Sequence, residues 1–567
     1  MTERIYSTQF VYDQLKDLFD SGSLVPSKSN LDVLEGVVET SFRNTPVNTE
    51  NEQEINNEII SLSFFFLHSL LPLLEIDSDF FFNPKELPET DELIENKANA
   101  VDSVSQAIAF ASVLVQALSK YYYVCQHALA QLTLEIRWRL VYRLSRWFST
   151  GYINDEWRLT EATRDKIQQT LGRLWDFPCT IDNKLGPQWD SHLELASMIL
   201  TNEIKPLFTE DGGSSRKVSS TGRRVQNEQE HLFGPASSAF DESQPWKLEG
   251  MGFWNSICDI LNRLHHKLGL QEIWPLLIPP IITLLEESTP RYRLRGLQMS
   301  ISLLEHTPSP IICRTGIDSL LQSFFSTTFS FLNIPQTLDL LNSTFEANLK
   351  LIESQWLASQ KNRQDQVARY NRYDQLMEES VFNVLAFGKT REKHTNSIND
   401  FIIIRMSNMV HMLGYPIGRY LRVILPFLCE TLLNLDSNQP SWITIQLANK
   451  LIVDLFSTCP DLLVKWKSRI IVVLATVWLN SQTCGNNCET DFNQSLAMLK
   501  QSIIDILRYV AANNVEGQRD NTSGDLLEMM KVMKQENSSL KDIFDPILSQ
   551  KQEIHCDVKK SSGSKAC

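Results

Sequence analysis

Apolar residues recur at steps of three and four positions along nearly all of this chain. That spacing lines one face of a helix with about 3.6 residues per turn. We find no pair of alternating strands joined by an Asn-Gly or Asp-Gly turn. The pattern therefore predicts an all-α fold. Two of the clearest stripes are Leu421, Leu425, Leu428, Leu432 and Leu435, and Ile445, Ala448, Ile452 and Leu455.

Proline and turn residues separate these stripes into pairs of helices. Residues 271–288 and 292–306 form one predicted pair, with a Thr-Pro stop between them. Residues 418–436 and 442–458 form a second pair of the same layout. Two-helix units of about 40 residues are typical of HEAT-like repeats. We therefore predict a HEAT-like α-solenoid of degenerate two-helix repeats.

One segment interrupts the helical pattern. Residues 209–247 are rich in Ser and Gly and have almost no apolar periodicity, so they cannot bury enough surface to offset the entropy of ordering. We predict that they are a disordered linker between an acidic N-terminal helical array, residues 1–208, and a C-terminal HEAT-like array, residues 248–515. Residues 516–567 are predicted to be a mostly disordered tail with two short helices.

The charge of the chain is concentrated near its start. The 567 residues carry a formal charge of −15, and residues 1–100 hold 19 Asp and Glu against 6 Lys and Arg. Such an acidic chain is not expected to bind nucleic acid. The 10 cysteines are too sparse for a disulfide scaffold, and no signal peptide or membrane span is predicted. The most apolar run, residues 59–76, is predicted to be a buried helix, and we expect a cytoplasmic and nuclear protein.

No motif for catalysis is present. A phosphate-binding loop, a nucleophile elbow and a zinc-protease helix motif are all missing from the sequence. Cys484 and Cys488 could share one zinc ion, but no second Cys/His pair lies close to them. A polar loop with two free thiols is the favoured interpretation. We therefore predict that the protein is not an enzyme and holds no cofactor or metal.

Two basic clusters stand out against the acidic background. A solvated face or intramolecular ion pairs is the favoured interpretation, and a docking site for an acidic partner segment is the alternative. The serines of the basic stretch SSRKVSSTGRR in the linker are possible phosphorylation sites. The clusters are Arg139, Arg143 and Arg146, and Arg291, Arg293 and Arg295.

Three stretches of the C-terminal half resemble a known family. Residues 273–308 combine an apolar helix, two acids, a proline turn and Arg-x-Arg-Gly-Leu. Residues 373–387 follow, and residues 409–434 contain a Leu-Gly pair, a basic helix start and Ile-Leu-Pro. Together they resemble the second member of the Tel-two-interacting protein family. The resemblance covers roughly residues 248–515.

This resemblance implies a non-enzymatic function. Members of that family are the smallest subunits of the Triple T co-chaperone complex, which contains two larger helical-repeat subunits. That complex supports the maturation of phosphatidylinositol-3-kinase-related kinases, together with a heat-shock chaperone and its adaptors. Those kinases act in DNA-damage, telomere and growth signalling.

The residues that match the family pattern are our candidates for partner binding. Gly296 is also predicted to let two helices approach closely, because it has no side chain. We expect residues 248–515 to bind the larger subunit without the N-terminal half. A competing hypothesis is a solenoid adaptor or cargo receptor that binds peptides on its concave face. The candidates are Arg291, Arg293, Arg295, Gly296, Leu413 and Gly414.

Overall fold

The structure is a computed structural model, and the residues that it describes are given at the end of this paragraph. Every regular element among the described residues is a helix, and none of them forms a strand. The prediction of an all-α fold is therefore confirmed. The described residues are 2–40, 50–74, 91–122, 133–147, 159–176, 191–208, 245–248, 252–264, 270–332, 337–388, 395–433, 442–483, 497, 500–501, 503–508 and 522–548.

The helices form two compact units. Unit 1 comprises Met1–Phe325 and Glu346–Ala358, and unit 2 comprises Ser326–Phe345 and Ser359–Cys567. This division lies at a different place from the one that we predicted at residues 209–247. The reason lies in the packing of the helices on either side of that segment.

Unit 1 is built around helices that are apolar on more than one face. The long helix α4 (Asp91–Tyr122) packs against α2 (Lys28–Thr40), α3 (Glu50–Leu70) and α6 (Glu161–Trp175). α10 (Leu270–Glu286) and α11 (Pro290–His306) pack closely against each other as the predicted pair. Val101–Leu118 in α4 is long and apolar enough to cross a membrane, but 72% of it is buried inside the protein, as expected for a core helix. The helices are α1 (Thr2–Ser21), α2 (Lys28–Thr40), α3 (Glu50–Leu70), α4 (Asp91–Tyr122), α5 (Thr133–Trp147), α6 (Glu161–Trp175), α7 (Ser191–Ile199), α8 (Pro245–Leu248), α9 (Phe253–Arg263), α10 (Leu270–Glu286), α11 (Pro290–His306), α12 (Ser309–Thr315) and α13 (Ile317–Thr328). The long α14 (Thr337–Ala358) has residues in both units.

Helix α9 is the most deeply buried element of unit 1. Every residue from Phe253 to Leu261 is buried, and the helix packs on α5 and α11. Its polar side chains are paired: Asn255 Nδ2 donates to the carbonyl oxygen of Arg146 at 2.9 Å, and Ser145 Oγ donates to Ser256 Oγ at 2.7 Å. Buried polar groups are tolerated when they are paired in this way. The first helix after the predicted linker is therefore part of the core of the helices before it.

The two ends of the predicted linker meet. After α7 the chain continues as a π-helical turn, Leu200–Ile204, and a 3₁₀ turn, Lys205–Phe208. The rings of Phe208 and Trp246 stack with centroids 6.2 Å apart, and Trp246 is buried against Phe253 and Tyr292. The predicted linker therefore ends before α8. Residues 209–244 lie outside the described residues, so their predicted disorder stays a prediction.

Unit 2 contains a repeat that the sequence pattern alone did not reveal. α17 (Thr395–Leu413) packs against α19 (Trp442–Thr458). α18 (Leu421–Leu433) packs against α20 (Lys467–Thr483). Buried positions of α18 recur 46 residues later in α20, for example Leu421 and Lys467. The repeat therefore consists of a helix, a 3₁₀ connection and a second helix, and it begins one helix earlier than our predicted pair 418–436 and 442–458. The helices are α15 (Arg363–Met377), α16 (Asn383–Gly388), α17 (Thr395–Leu413), α18 (Leu421–Leu433), α19 (Trp442–Thr458) and α20 (Lys467–Thr483), with 3₁₀ connections Tyr415–Tyr420 and Pro460–Trp466.

The end of the chain is more ordered than we predicted. α21 (Thr522–Glu536) and residues 541–548 are helical, which agrees with the two short helices expected there. Ile543 and Phe544 are fully buried, and Trp478 Nε1 donates to the carbonyl oxygen of Ser539 at 3.0 Å. Residues 522–548 therefore pack in unit 2, and the prediction of a mostly disordered tail is wrong for them.

Cleavage of the predicted linker should not separate its flanking helices. We expect a specific protease site placed between residues 215 and 225 to give two fragments that elute together in size-exclusion chromatography, because α9 stays buried against α5. The fragments should separate only in denaturant. Separate elution of the two fragments in native buffer would show that α9 does not hold them.

Asn449 is a buried polar residue at a position of the unit 2 repeat where an apolar residue would be expected. It is 1% exposed, and neither its Nδ2 nor its Oδ1 has a hydrogen-bond partner. Ile403 occupies the equivalent position 46 residues earlier and is fully buried. An unpaired buried amide destabilises a fold by about 1–3 kcal/mol. We therefore expect Asn449→Leu to raise the melting temperature; a lower value would show that the amide is satisfied in solution.

Candidate partner-binding surface

Two of the predicted docking arginines are buried inside unit 1. Arg293 and Arg295 are 5% and 4% exposed. Arg293 Nε donates to the carbonyl oxygen of Glu287 at 2.9 Å, just after the end of α10, where helix carbonyls lack partners. Burial lowers the pKa of Arg293, and the nearby carboxylates of Glu287 and Glu286 oppose that shift. These two arginines therefore stabilise the α10–α11 pair and cannot present charge to a partner.

The guanidinium of Arg295 is also used within the unit. Its Nη1 donates to Gln298 Oε1 at 2.8 Å, and its Cζ lies 5.5 Å from the centroid of the Trp254 ring in α9. Arg291 is partly exposed at the start of α11. Of the cluster formed by Arg291, Arg293 and Arg295, only Arg291 is exposed enough to contribute to a partner contact.

Gly296 has the close-packing role that we predicted. A Cβ atom at this position would lie 2.9 Å from the backbone nitrogen of Leu285 and 3.0 Å from the carbonyl carbon of Leu284. Both atoms belong to α10, and backbone atoms cannot move aside as a flexible side chain can. Gly296 therefore sets the distance between α10 and α11.

Leu413 and Gly414 end α17 and begin the connection to α18. Leu413 is buried, and Gly414 has a φ of 62°, a conformation that favours glycine. The turn directs the chain into the 3₁₀ connection Tyr415–Tyr420. These two residues therefore shape a surface rather than form it.

The surface that they shape is apolar. A Cβ atom on Gly418 would overlap Leu462 Cδ1, so the connection Tyr415–Tyr420 lies directly against the connection Pro460–Trp466. Tyr415 is 55% exposed, and Leu462 and Val464 on the second connection and Met412 in the last turn of α17 are also exposed. We call this surface the connector edge, and define it as Met412, Tyr415, Pro416, Leu462 and Val464.

Exposed apolar side chains are more common in unit 2 than in unit 1 among the residues that the structure describes. In unit 1, two of the exposed rings, Phe19 and Phe65, pack on each other with centroids 5.2 Å apart. Clusters of exposed apolar side chains mark interaction surfaces in soluble proteins. In unit 2 the exposed large apolar residues are Val367, Tyr370, Ile404, Met412, Tyr415, Val423, Leu433, Ile443, Leu462, Val464, Val472 and Val532.

The sequence pattern missed the connector edge. Tyr415, Leu462 and Val464 lie between the helical stripes, where exposure cannot be predicted from periodicity. The signal that could have found the edge is the 46-residue recurrence of apolar residues, such as Ile424 with Ile470, because it places the two connections at equivalent points of successive repeats.

The described residues show no cluster of metal-ligating side chains. They contain no group of three or more His, Cys, Asp or Glu side chains that could hold a metal ion. Burial raises the pKa of the Cys258 thiol to about 12, so this cysteine is not a reactive thiolate. Burial also raises the pKa of Asp259, although Arg263 and a hydrogen bond from Trp175 oppose the shift. Cys484 and Cys488 lie outside the described residues.

The comparison with family models decides the family. Residues 155–437 match the model described as the Tti2 family. The chain belongs to the Tti2 family. The matched region begins well before residue 248, where we had placed the start of the resemblance, and it contains both sides of the predicted linker. That extent agrees with the packing of α9 on α6, where Trp175 Nε1 donates to Asp259 Oδ2.

Other comparisons add little to this Tti2-family chain. No curated protein matches it. The crystal structure of a Kap121p mutant matches with 11% sequence identity and a TM-score of 0.21, and the alignment covers 92% of this chain. The chain spans 62% of the length of that protein. A likeness of this size carries no argument about the Tti2-family fold.

A methyl group at Gly296 should destabilise this Tti2-family protein. We expect Gly296→Ala to lower the free energy of unfolding by about 1–3 kcal/mol, because the α10 backbone must move to admit the Cβ atom. Gly36→Ala in α2 is the matched control, since a Cβ atom there meets nothing within 4 Å. Denaturant titration measures both; equal effects at the two positions would contradict the close approach of α10 and α11.

Proposed function

We propose that this chain is a non-enzymatic scaffold subunit of a Triple-T-like co-chaperone complex. It supports the maturation and stability of phosphatidylinositol-3-kinase-related kinases, together with a heat-shock chaperone and its adaptors. It thereby serves DNA-damage, telomere and growth signalling in the cytoplasm and nucleus. The match of residues 155–437 to the Tti2 family is the observation that carries this proposal.

The connector edge supports the proposal by offering a place for a larger helical-repeat subunit. Stable subunit interfaces combine an apolar centre with a polar rim. The edge supplies apolar side chains from two successive repeats, and the exposed Arg419 and Lys465 lie on the same two connections. We therefore assign the larger subunit to the connector edge of unit 2.

Binding of the larger subunit cannot be tested with the two separate halves, residues 1–208 and 248–515, that the sequence suggested. Separation at residue 248 would remove α9 from α5, and expose Asn255, Ser256 and Asp259 together with their apolar neighbours. Tests of the partner interface therefore need the full-length chain.

The test is purification of the tagged full-length chain followed by mass spectrometry. We expect two larger helical-repeat proteins in equal amounts with the chain. The double variant Tyr415→Lys and Val464→Lys should reduce their recovery by about tenfold or more, because charge would enter the apolar centre of the interface. Loss of the chain should also lower the level of newly made kinase without changing its messenger RNA.

Ile443→Lys is the matched control for the edge variant. Ile443 is highly exposed in unit 2 but lies at the opposite end of α19, about 22 Å from the connection that follows it. Normal recovery in both variants would remove the connector edge from the interface. Recovery of diverse peptides or cargo proteins without stoichiometric large subunits would favour the adaptor or cargo-receptor hypothesis.

A further inference from the structure

Helix α15 begins with a segment whose residues are all exposed or half-buried. None of its first ten residues is buried, and its buried residues are Tyr373, Leu376 and Met377. We call Arg363–Arg372 the exposed arm. Isolated helices of this length are marginal in water, since most helical stability comes from burial of one face.

Local hydrogen bonds hold the start of the exposed arm. Asn362 and Asp365 form a capping box: Asp365 N donates to Asn362 Oδ1 at 2.9 Å, and Asn362 N donates to Asp365 Oδ2 at 3.1 Å. Such a box satisfies two backbone donors that would otherwise lack partners. The exposed arm is therefore a helix that is formed before any partner covers it.

The exposed arm is basic in an acidic protein. Arg363, Arg369 and Arg372 lie on it and Lys361 lies two residues before it, whereas the carboxylate of Asp365 is used in the cap. A cation in the first turn, such as Arg363, is unfavourable for the helix dipole, so helix stability does not explain it. Arginine and tyrosine are enriched at protein interfaces, and glutamate is depleted there. The arm has that composition.

The exposed arm also carries an apolar pair. Val367 is 53% exposed and Tyr370 is 46% exposed. Residues three apart lie on the same face of a helix, so the two side chains are neighbours. Apolar residues at this spacing are the anchors by which a helix binds in the groove of a partner.

The C-terminal end of α15 is hydrogen-bonded to the connection Tyr415–Tyr420. Asp374 accepts hydrogen bonds from Arg419 and from Tyr420 Oη, the latter at 3.2 Å. The rings of Phe382 and Tyr420 have centroids 5.1 Å apart. Arg419 and Tyr420 belong to the 3₁₀ connection that carries Tyr415, so the helix that bears the exposed arm is anchored to a connection of the proposed interface.

We propose that the exposed arm binds in an apolar groove lined by carboxylates on the larger partner subunit. This inference rests on the proposed function, and it adds the chemistry that the partner must present. Val367 and Tyr370 fill the groove, and the cations at the start of the arm face its acidic rim. A protein groove is favoured over nucleic acid, because a duplex is bound through many phosphate contacts and the chain carries a charge of −15.

The experiment measures binding kinetics of the full-length chain with the purified larger subunit. In the neutralised variant, Lys361→Gln and Arg363→Gln, association should slow about threefold to tenfold at low ionic strength and show a weaker salt dependence. In the truncated variant, Val367→Ala and Tyr370→Ala, dissociation should become about tenfold faster. Alanine favours helix more than valine or tyrosine, so the arm itself stays helical.

Lys531→Gln with Lys541→Gln is the matched control, since both lysines are exposed in unit 2 and the same charge is removed. Wild-type kinetics for the neutralised and truncated variants would overturn the inference and leave the proposed function intact, provided that the wild-type chain binds. Failure of the wild-type chain to bind the larger subunit would instead overturn the proposed function. Loss of duplex DNA or RNA binding in the arm variants, with normal subunit binding, would assign the arm to nucleic acid and overturn the inference.

Discussion

The burial of α9 is the constraint on which unit 1 depends. An all-apolar helix could pack in many orientations, but α9 carries Asn255, Ser256 and Asp259 in its buried part. Each must meet a specific partner, and Trp175 Nε1 donates to Asp259 Oδ2 at 2.8 Å to satisfy one of them. Because an unpaired buried polar group is costly, these bonds select one position for α9 against α5 and α6. The chain before the predicted linker and the chain after it therefore form one core.

Buried arginines complete that core by capping helices. Arg137 of α5 donates to the carbonyl oxygens of Leu174 and Trp175 at 2.6 and 2.8 Å, at the end of α6. Arg293 of α11 plays the same part at the end of α10. The guanidinium offers several donors in a planar group and so can satisfy two carbonyls at once. Arg293 and Arg295, two of the arginines that suggested a docking site, are therefore hydrogen-bonded inside the protein.

The surfaces left for partners lie in unit 2. There the 46-residue repeat brings successive 3₁₀ connections side by side, and their short loops expose Tyr415, Leu462 and Val464. Gly414 permits the turn that starts one connection, and Gly418 lets the other approach it. The residues that resemble the family in this region thus act through backbone geometry. A buried polar core and an apolar edge are the features that the proposed function as a subunit requires.

The sequence by itself determined the helical class, the α10–α11 pair and the role of Gly296, because these follow from local periodicity and from the absence of a side chain. Its motifs also indicated the family. Only the tertiary structure decided that Arg293 and Arg295 are buried, that Phe208 and Trp246 meet, and that residues 522–548 pack in unit 2. Apolar periodicity reports which face of a helix is buried but not which helix covers it. An arginine in the sequence does not indicate whether its guanidinium lies in water or donates to a buried carbonyl, because that depends on residues distant in the chain.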